Sequence, residues 1–258
     1  MTEILVNGLV SLGAAFFGAW FAYRFNLKQQ KKWDKERQEE EKEEKRAEQI
    51  LQLNYLQTYL YATIDDLFDI AQQLDSKKDL YERIISHNYE ITQLDIDIIN
   101  TIFVDFSSRF KSNWDALYFT SNEPDFMYSL GRAETALQHF ISGHTFEVQN
   151  SWNRVKSFRE ALNNNKNKKD TIKQFIDIGR DNNKSEIFRM QKAVACLDIM
   201  INVLNKYANK HKIELKSISY DSDTKKFVKD CLNKTPKTYY LKKIPNKDLR
   251  YYDDIKNK

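Results

Sequence analysis

Cysteine, proline and glycine are all scarce in this 258-residue chain, at two, three and six residues. Two thiols, Cys196 and Cys231, are too few for a disulfide framework or a Cys-rich zinc site. Charge of one sign is also missing: 41 Lys and Arg against 37 Asp and Glu leave a formal charge of +4, which excludes a strongly basic nucleic-acid-binding protein. Catalytic signatures are absent. There is no glycine-rich phosphate loop, no G-x-S-x-G elbow, no H-E-x-x-H and no paired-cysteine motif, so no cofactor is expected. The four histidines, His87, His139, His144 and His211, do not fall at the spacing of a helix-face metal pair, and no metal site is expected. What the chain does have is 16 Phe and 14 Tyr, with abundant Leu and Ile, which excludes a collagen-like or wholly disordered polymer. Its length suits one domain with an appendage, or two small domains.

The clearest positive signal is the run Ile4–Tyr23, which contains no charged residue. Twenty helical residues reach about 30 Å, the thickness of a bilayer's hydrocarbon core. Trp20, Phe21, Tyr23 and Phe25 cluster at one end, where an interfacial aromatic belt belongs. A cleaved signal peptide fits less well, because Met-Thr-Glu supplies no basic leader and the apolar run continues past Gly13 and Ala15. Arg24, Lys28, Lys31 and Lys32 follow the run and no Lys or Arg precedes it, so the expectation is a single-pass anchor in the plasma (inner) membrane, N-terminus outside and the rest cytoplasmic. Free thiols agree with a reducing compartment. Within the run, Ser11, Ala15 and Ala19 recur every four residues, and so do Ala14, Gly18 and Ala22. Rows of small side chains let membrane helices approach closely, which predicts self-association and a homo-oligomer.

Residues 28 to 48 carry eight basic and eight acidic side chains, with no Gly, no Pro and no apolar stripe. Pairs four apart, such as Lys32–Glu36 and Glu41–Lys45, favour an exposed helix, so this segment reads as a solvated stalk. After Ile50 the pattern changes. Leu53, Leu56, Leu60, Thr63, Leu67, Ile70 and Leu74 alternate spacings of three and four, a heptad seam that would serve a coiled coil or the first helix of a bundle. Leu51, Tyr55, Tyr59 and Ala62 would widen the buried face, and Asp75-Ser76-Lys77-Lys78 reads as a turn.

Further helices are predicted over 94–117, from Pro124 to Gly143, over 146–162 (with Phe146 and Trp152 inward), around 172–176, and from a Ser185 cap through Tyr207. Loops are expected at 163–169 and 179–184, with at most a short strand near 213–220. The fold class is therefore all-α: an anchor over 1–26, a charged helical stalk over 27–49, a cytoplasmic helical domain over 50–233, and an irregular tail over 234–258. That tail interleaves eight Lys and Arg with two tyrosine pairs, and either lies over the domain or touches nucleic acid, the former being favoured.

One pair has chemical potential. Arg132 and His139, seven apart, fall on nearly the same helix face, where an arginine could steady phosphate charge and a histidine transfer a proton. This resembles the R-x(4–6)-H motif of the HEPN superfamily of helical ribonucleases, although Ala133 stands where that motif usually has a polar residue. A small-residue membrane helix followed by a helical domain with such a pair also resembles the membrane accessory proteins of type VI-B CRISPR systems and, more broadly, single-pass effectors of bacterial phage defence. That resemblance implies an oligomer whose anchors line a pore or perturb the bilayer. Three functions remain open from sequence: a non-enzymatic membrane effector, a tethered ribonuclease, and an adaptor holding a cytoplasmic protein partner at the bilayer.

Overall fold

The computed structural model describes residues 2–92, 95, 123–164 and 168–235, with side chains from Ala15 onward apart from Asn164. Four helices account for the regular structure of these residues: α1 (Thr2–Ser86), α2 (Pro124–Asn164), α3 (Lys168–Lys210) and α4 (Ser222–Lys234). No strand occurs among the described residues, so the expected all-α class holds. The chain divides into two compact units, one up to Leu51 and one from Gln52 onward.

The first unit is helical backbone throughout, and nearly every described side chain in it is exposed. Lys32 pairs with Glu36 at 3.6 Å, as the four-residue spacing requires, and Lys35 with Glu39 at 3.8 Å. Glu41 and Lys45 form no ion pair. Such solvated pairs contribute only about 0.3–0.5 kcal/mol each. The helix persists here through local propensity, because Glu, Lys, Gln and Arg are good helix formers and nothing breaks the run. Among the described residues no helix is long and apolar enough to cross a membrane. The side chains of residues 1–14, which hold most of the Ile4–Tyr23 run, lie outside them.

The second unit is a bundle. The expected seam is its spine: Leu53, Leu56, Leu60, Thr63, Leu67, Ile70 and Leu74 are all buried. Each Leu or Ile withdrawn from water contributes about 1.5–3 kcal/mol before entropy is counted. Of the second row expected beside that seam, Tyr59 is half-buried, while Leu51, Tyr55 and Ala62 are exposed. Leu51 remains 70% exposed and Tyr55 47%, and the buried face widens instead through Gln57, Ile64 and Ala71.

Helices α2 and α3 form an antiparallel hairpin. Phe158 stacks on Phe175 near its closed end, and Phe126 meets Tyr207 near its open end. The α1 segment of this unit runs antiparallel to α3, with Leu74 opposite Asn183 and Glu82 opposite Arg180. Two Schellman-type stops shape the connections. Ile213 N–H reaches Ala208 O at 2.8 Å past the left-handed Lys212, and Tyr89 N–H reaches Ile84 O at 2.9 Å past the left-handed Asn88. Residues 213–220 then run without helix, turn or bend. Asp221 accepts hydrogen bonds from the backbone of Asp223 and Thr224 and so caps α4, a helix not foreseen from sequence although Asp-Ser-Asp-Thr is a legible cap signal. Tyr61–Tyr220 and Phe68–Phe227 ring contacts lay α4 alongside α1.

Several sequence expectations are corrected. Helix α1 does not turn at 75–78, and α3 runs unbroken through 179–184 with Ser185 in its interior. Helix α2 passes Gly143 without ending, and Phe146 (62% exposed) and Trp152 (52%) face out of it. The break expected over 163–169 is shorter, since helix resumes at Lys168. The helix predicted over 94–117 and the tail beyond Thr235 lie outside the described residues, apart from the buried Asp95.

Candidate functional site

The Arg132/His139 pair sits on α2 as the spacing requires, but its members do different things. Arg132 is half-buried, and its Nε is fully covered with no hydrogen-bond partner among the described residues. Burial pushes the thiol of Cys196, on α3, upward, and the positive charge of Arg132 opposes that shift. His139 is exposed. Arg132 thus packs partly into the body, while His139 faces solvent.

The small residues expected to mediate helix association divide by what is described. Ala15, Gly18, Ala19 and Ala22 are exposed on α1, and a Cβ added at Gly18 would meet nothing within 4 Å. Ser11 and Ala14 lie outside the described side chains. Around these small residues, Phe16, Phe17, Trp20, Phe21, Tyr23 and Phe25 are all exposed, and Arg24 lies over the Trp20 ring at 5.2 Å.

The densest polar constellation was not read from the sequence. His144 on α2 and Lys77 on α1 both reach Glu186 on α3, and all three are buried. Lys77 Nζ lies 3.7 Å from Glu186 Oε2, while His144 Nδ1 hydrogen-bonds Oε1. Burial disfavours the Glu186 charge, but the His144 hydrogen bond and the Lys77, His144 and Arg189 charges outweigh it and hold the carboxyl below its usual range. One turn away, Asn183 donates to the Leu74 carbonyl at 2.9 Å, tying α3 to α1. Arg154 pairs with Glu147 at 3.5 Å on α2. The cavity between these groups measures only about 10 Å³, room for at most one water. The cluster ties three helices together, α1 through Lys77, α2 through His144 and α3 through Glu186. By composition Lys77 reads as part of a turn and Asn183 as part of a loop, and only their distant partners reveal them.

Among the described residues, no group of three or more His, Cys, Asp or Glu side chains is arranged to hold a metal ion. No known protein family matches this chain. Neither a curated protein nor a solved structure matches it either.

Proposed function

We propose that this chain is a membrane-anchored, self-associating effector or scaffold, possessing no catalytic centre of its own, whose helical body faces the cytoplasm and responds to a partner there. The observation that carries the reading is the exposed aromatic collar, Phe16 to Phe25, on a helix whose sequence from Ile4 to Tyr23 has no charge. Aromatic surface of that extent is normally covered by lipid or by another chain. Ala15–Phe25 alone is too short to span a bilayer, so the reading stands on the whole run. The basic flank from Arg24 to Lys32 supports an inward-facing body, and anionic headgroups would hold it.

Self-association rests on the small residues. With Ala15, Ala19 and Ser11 on one row and Ala14, Gly18 and Ala22 on the other, parallel copies can pack backbone to backbone. An assembly of such anchors would permeabilise a bilayer or form a pore, the behaviour implied by the resemblance to phage-defence effectors. The tethered ribonuclease is the runner-up, since Arg132 is half-buried while His139 is exposed. The adaptor remains the alternative if assembly fails.

The test is the mass of the detergent-extracted protein by light scattering, with residues 1–25 present and removed. A defined oligomer that falls apart without residues 1–25 supports the reading and leads to liposome leakage assays. A monomer in both forms overturns it and leaves the adaptor.

A further inference from the structure

A groove of about 370 Å³ opens between α1, the end of α3 and the extended segment that follows it. That is the size range of ligand sites. Its polar helix side chains are three amides and one phenol, Gln57 and Tyr61 from α1 and Asn205 and Asn209 from α3, beside Ala208 and the apolar Ile213, Leu215 and Ile218. Residues 213–218 form the opposite wall, where the oppositely charged Glu214 and Lys216 are exposed. The site is neutral, which argues against a phosphate or a carboxylate as the principal group bound.

Three features converge on one ligand chemistry. First, Gln57 is only 3% exposed, and its Oε1 has no hydrogen-bond partner among the described residues. A buried acceptor left unmade is costly, and a small movement of the Gln57 side chain towards the groove it lines would let an incoming N–H satisfy it. Second, Asn205 and Asn209 are one helical turn apart, about 6 Å along the axis. Alternate residues of an extended chain repeat every 6.4–6.8 Å or so, and each peptide unit offers the donor and acceptor that a side-chain amide complements. Third, residues 214–220 make no backbone–backbone hydrogen bond among the described residues. Their single backbone tie is Lys216 N–H to Asn54 Oδ1 at 2.8 Å.

We propose that this groove binds a short extended peptide segment of a partner protein, its backbone held between the Asn205–Asn209 amides and the open wall at 213–218, with Gln57 accepting one peptide N–H. This deepens the reading of the body as a partner-sensing module and rests on it only for consequence. Recognition of the backbone gives affinity with broad sequence tolerance, as in strand addition to an open edge.

The experiment is affinity selection of acetylated, amidated hexapeptides on the full-length protein in detergent, followed by titration of the retained peptides. Wild type is expected to retain a subset. Their affinity should fall at least tenfold in Gln57→Leu, in Asn209→Ala, and when alternate peptide amides are N-methylated. Gln57→Leu should unfold no earlier than wild type, because it removes an unsatisfied buried acceptor, and the exposed Asn209 gives a second variant that leaves the core untouched. Retention of no peptide by wild type overturns the proposal. So does binding that survives both variants or N-methylation, and so does displacement of the peptide by adenosine or cytidine, which would assign the groove to a heteroaromatic ligand. Mass measured in parallel separates the two readings: a monomer that retains peptides sinks only the assembly, and an oligomer that retains none sinks only the groove.

Discussion

Lys77 and His144, 67 residues apart in sequence, grip the two oxygens of one buried carboxylate, Glu186. Removing that carboxylate takes from Lys77 and the neighbouring Arg189 the charge that Glu186 supplies. Glu186→Gln is expected to destabilise the body by about 3–5 kcal/mol, the range for breaking a buried ion pair. Lys77→Met should cost less, about 1–3 kcal/mol, because Glu186 keeps His144. The double variant should lose less than the sum of the two, since both changes remove the same ion pair. Urea unfolding midpoints check all three, and simple additivity would show that the groups do not act together.

Glu186 also makes the body acid-sensitive. Its carboxyl is held below the ordinary range in the folded state, so its stabilisation is present above the unfolded value of about 4.3 and is lost as pH falls through the lower folded value. Asp198 does the opposite. Burial pushes its carboxyl up to about 6, against the favourable contacts of Tyr220 and Asn202. The folded state therefore holds this proton more tightly, and its stabilisation is full below about pH 4 and lost as pH rises through about 6. Asp198→Asn should accordingly stabilise the protein at pH 8 by about 1–2 kcal/mol and change little at pH 4. Thermal unfolding across that range decides it, and an equal effect at both pH values would refute the assignment.

The helical body was legible where burial follows spacing. Seven positions from Leu53 to Leu74 alternate by three and four, and all seven are buried. It was illegible where buried residues are polar. Asp75–Lys78 and Gly179–Lys184 both look like turns, because charge, Asn and Gly are what turns are made of. In the fold these stretches face one another: Lys77 meets Glu186, and Asn183 holds the Leu74 carbonyl. A composition shared by turns and by buried polar layers cannot separate the two, since the partner that satisfies each group lies about a hundred residues away. The groove was hidden for the same reason, as Gln57, Asn205 and the 213–218 segment come from separate parts of the chain.

Two glycines that look alike in sequence should respond oppositely to alanine. A Cβ at Gly179 would lie 2.7 Å from Cζ and Oη of Tyr81. That ring is buried in the cluster of Ile84, Phe158 and Ile176 and has little room to yield. Gly179→Ala is expected to destabilise by about 1–3 kcal/mol despite alanine's better helix propensity. At Gly131 the added Cβ meets nothing within 4 Å, so Gly131→Ala should stabilise by about 1 kcal/mol. Melting temperatures that moved in the same direction would contradict the packing described for Tyr81.

The assembly and the Arg132/His139 pair can be separated by substitution. Leucine at Gly18 and at Ala22 would fill the row through which copies are proposed to approach, and close backbone contact in membrane helices tolerates no such bulk. Gly18→Leu with Ala22→Leu is expected to reduce the mass in detergent to that of the monomer and to abolish liposome leakage. Both positions belong to the first unit, so the urea unfolding midpoint of the second should be unchanged. Arg132→Ala should leave both mass and leakage intact, because its guanidinium lies against α3 in the body. His139→Ala should do the same, since that ring is exposed. A fluorogenic RNA supplies the counter-test. Cleavage by wild type that disappears in His139→Ala, with mass and folding preserved, would return the chain to the ribonuclease reading, two Arg132/His139 pairs then being brought together by dimerisation. Absence of cleavage, with leakage lost only when the small-residue row is filled, would tie the activity to the anchor.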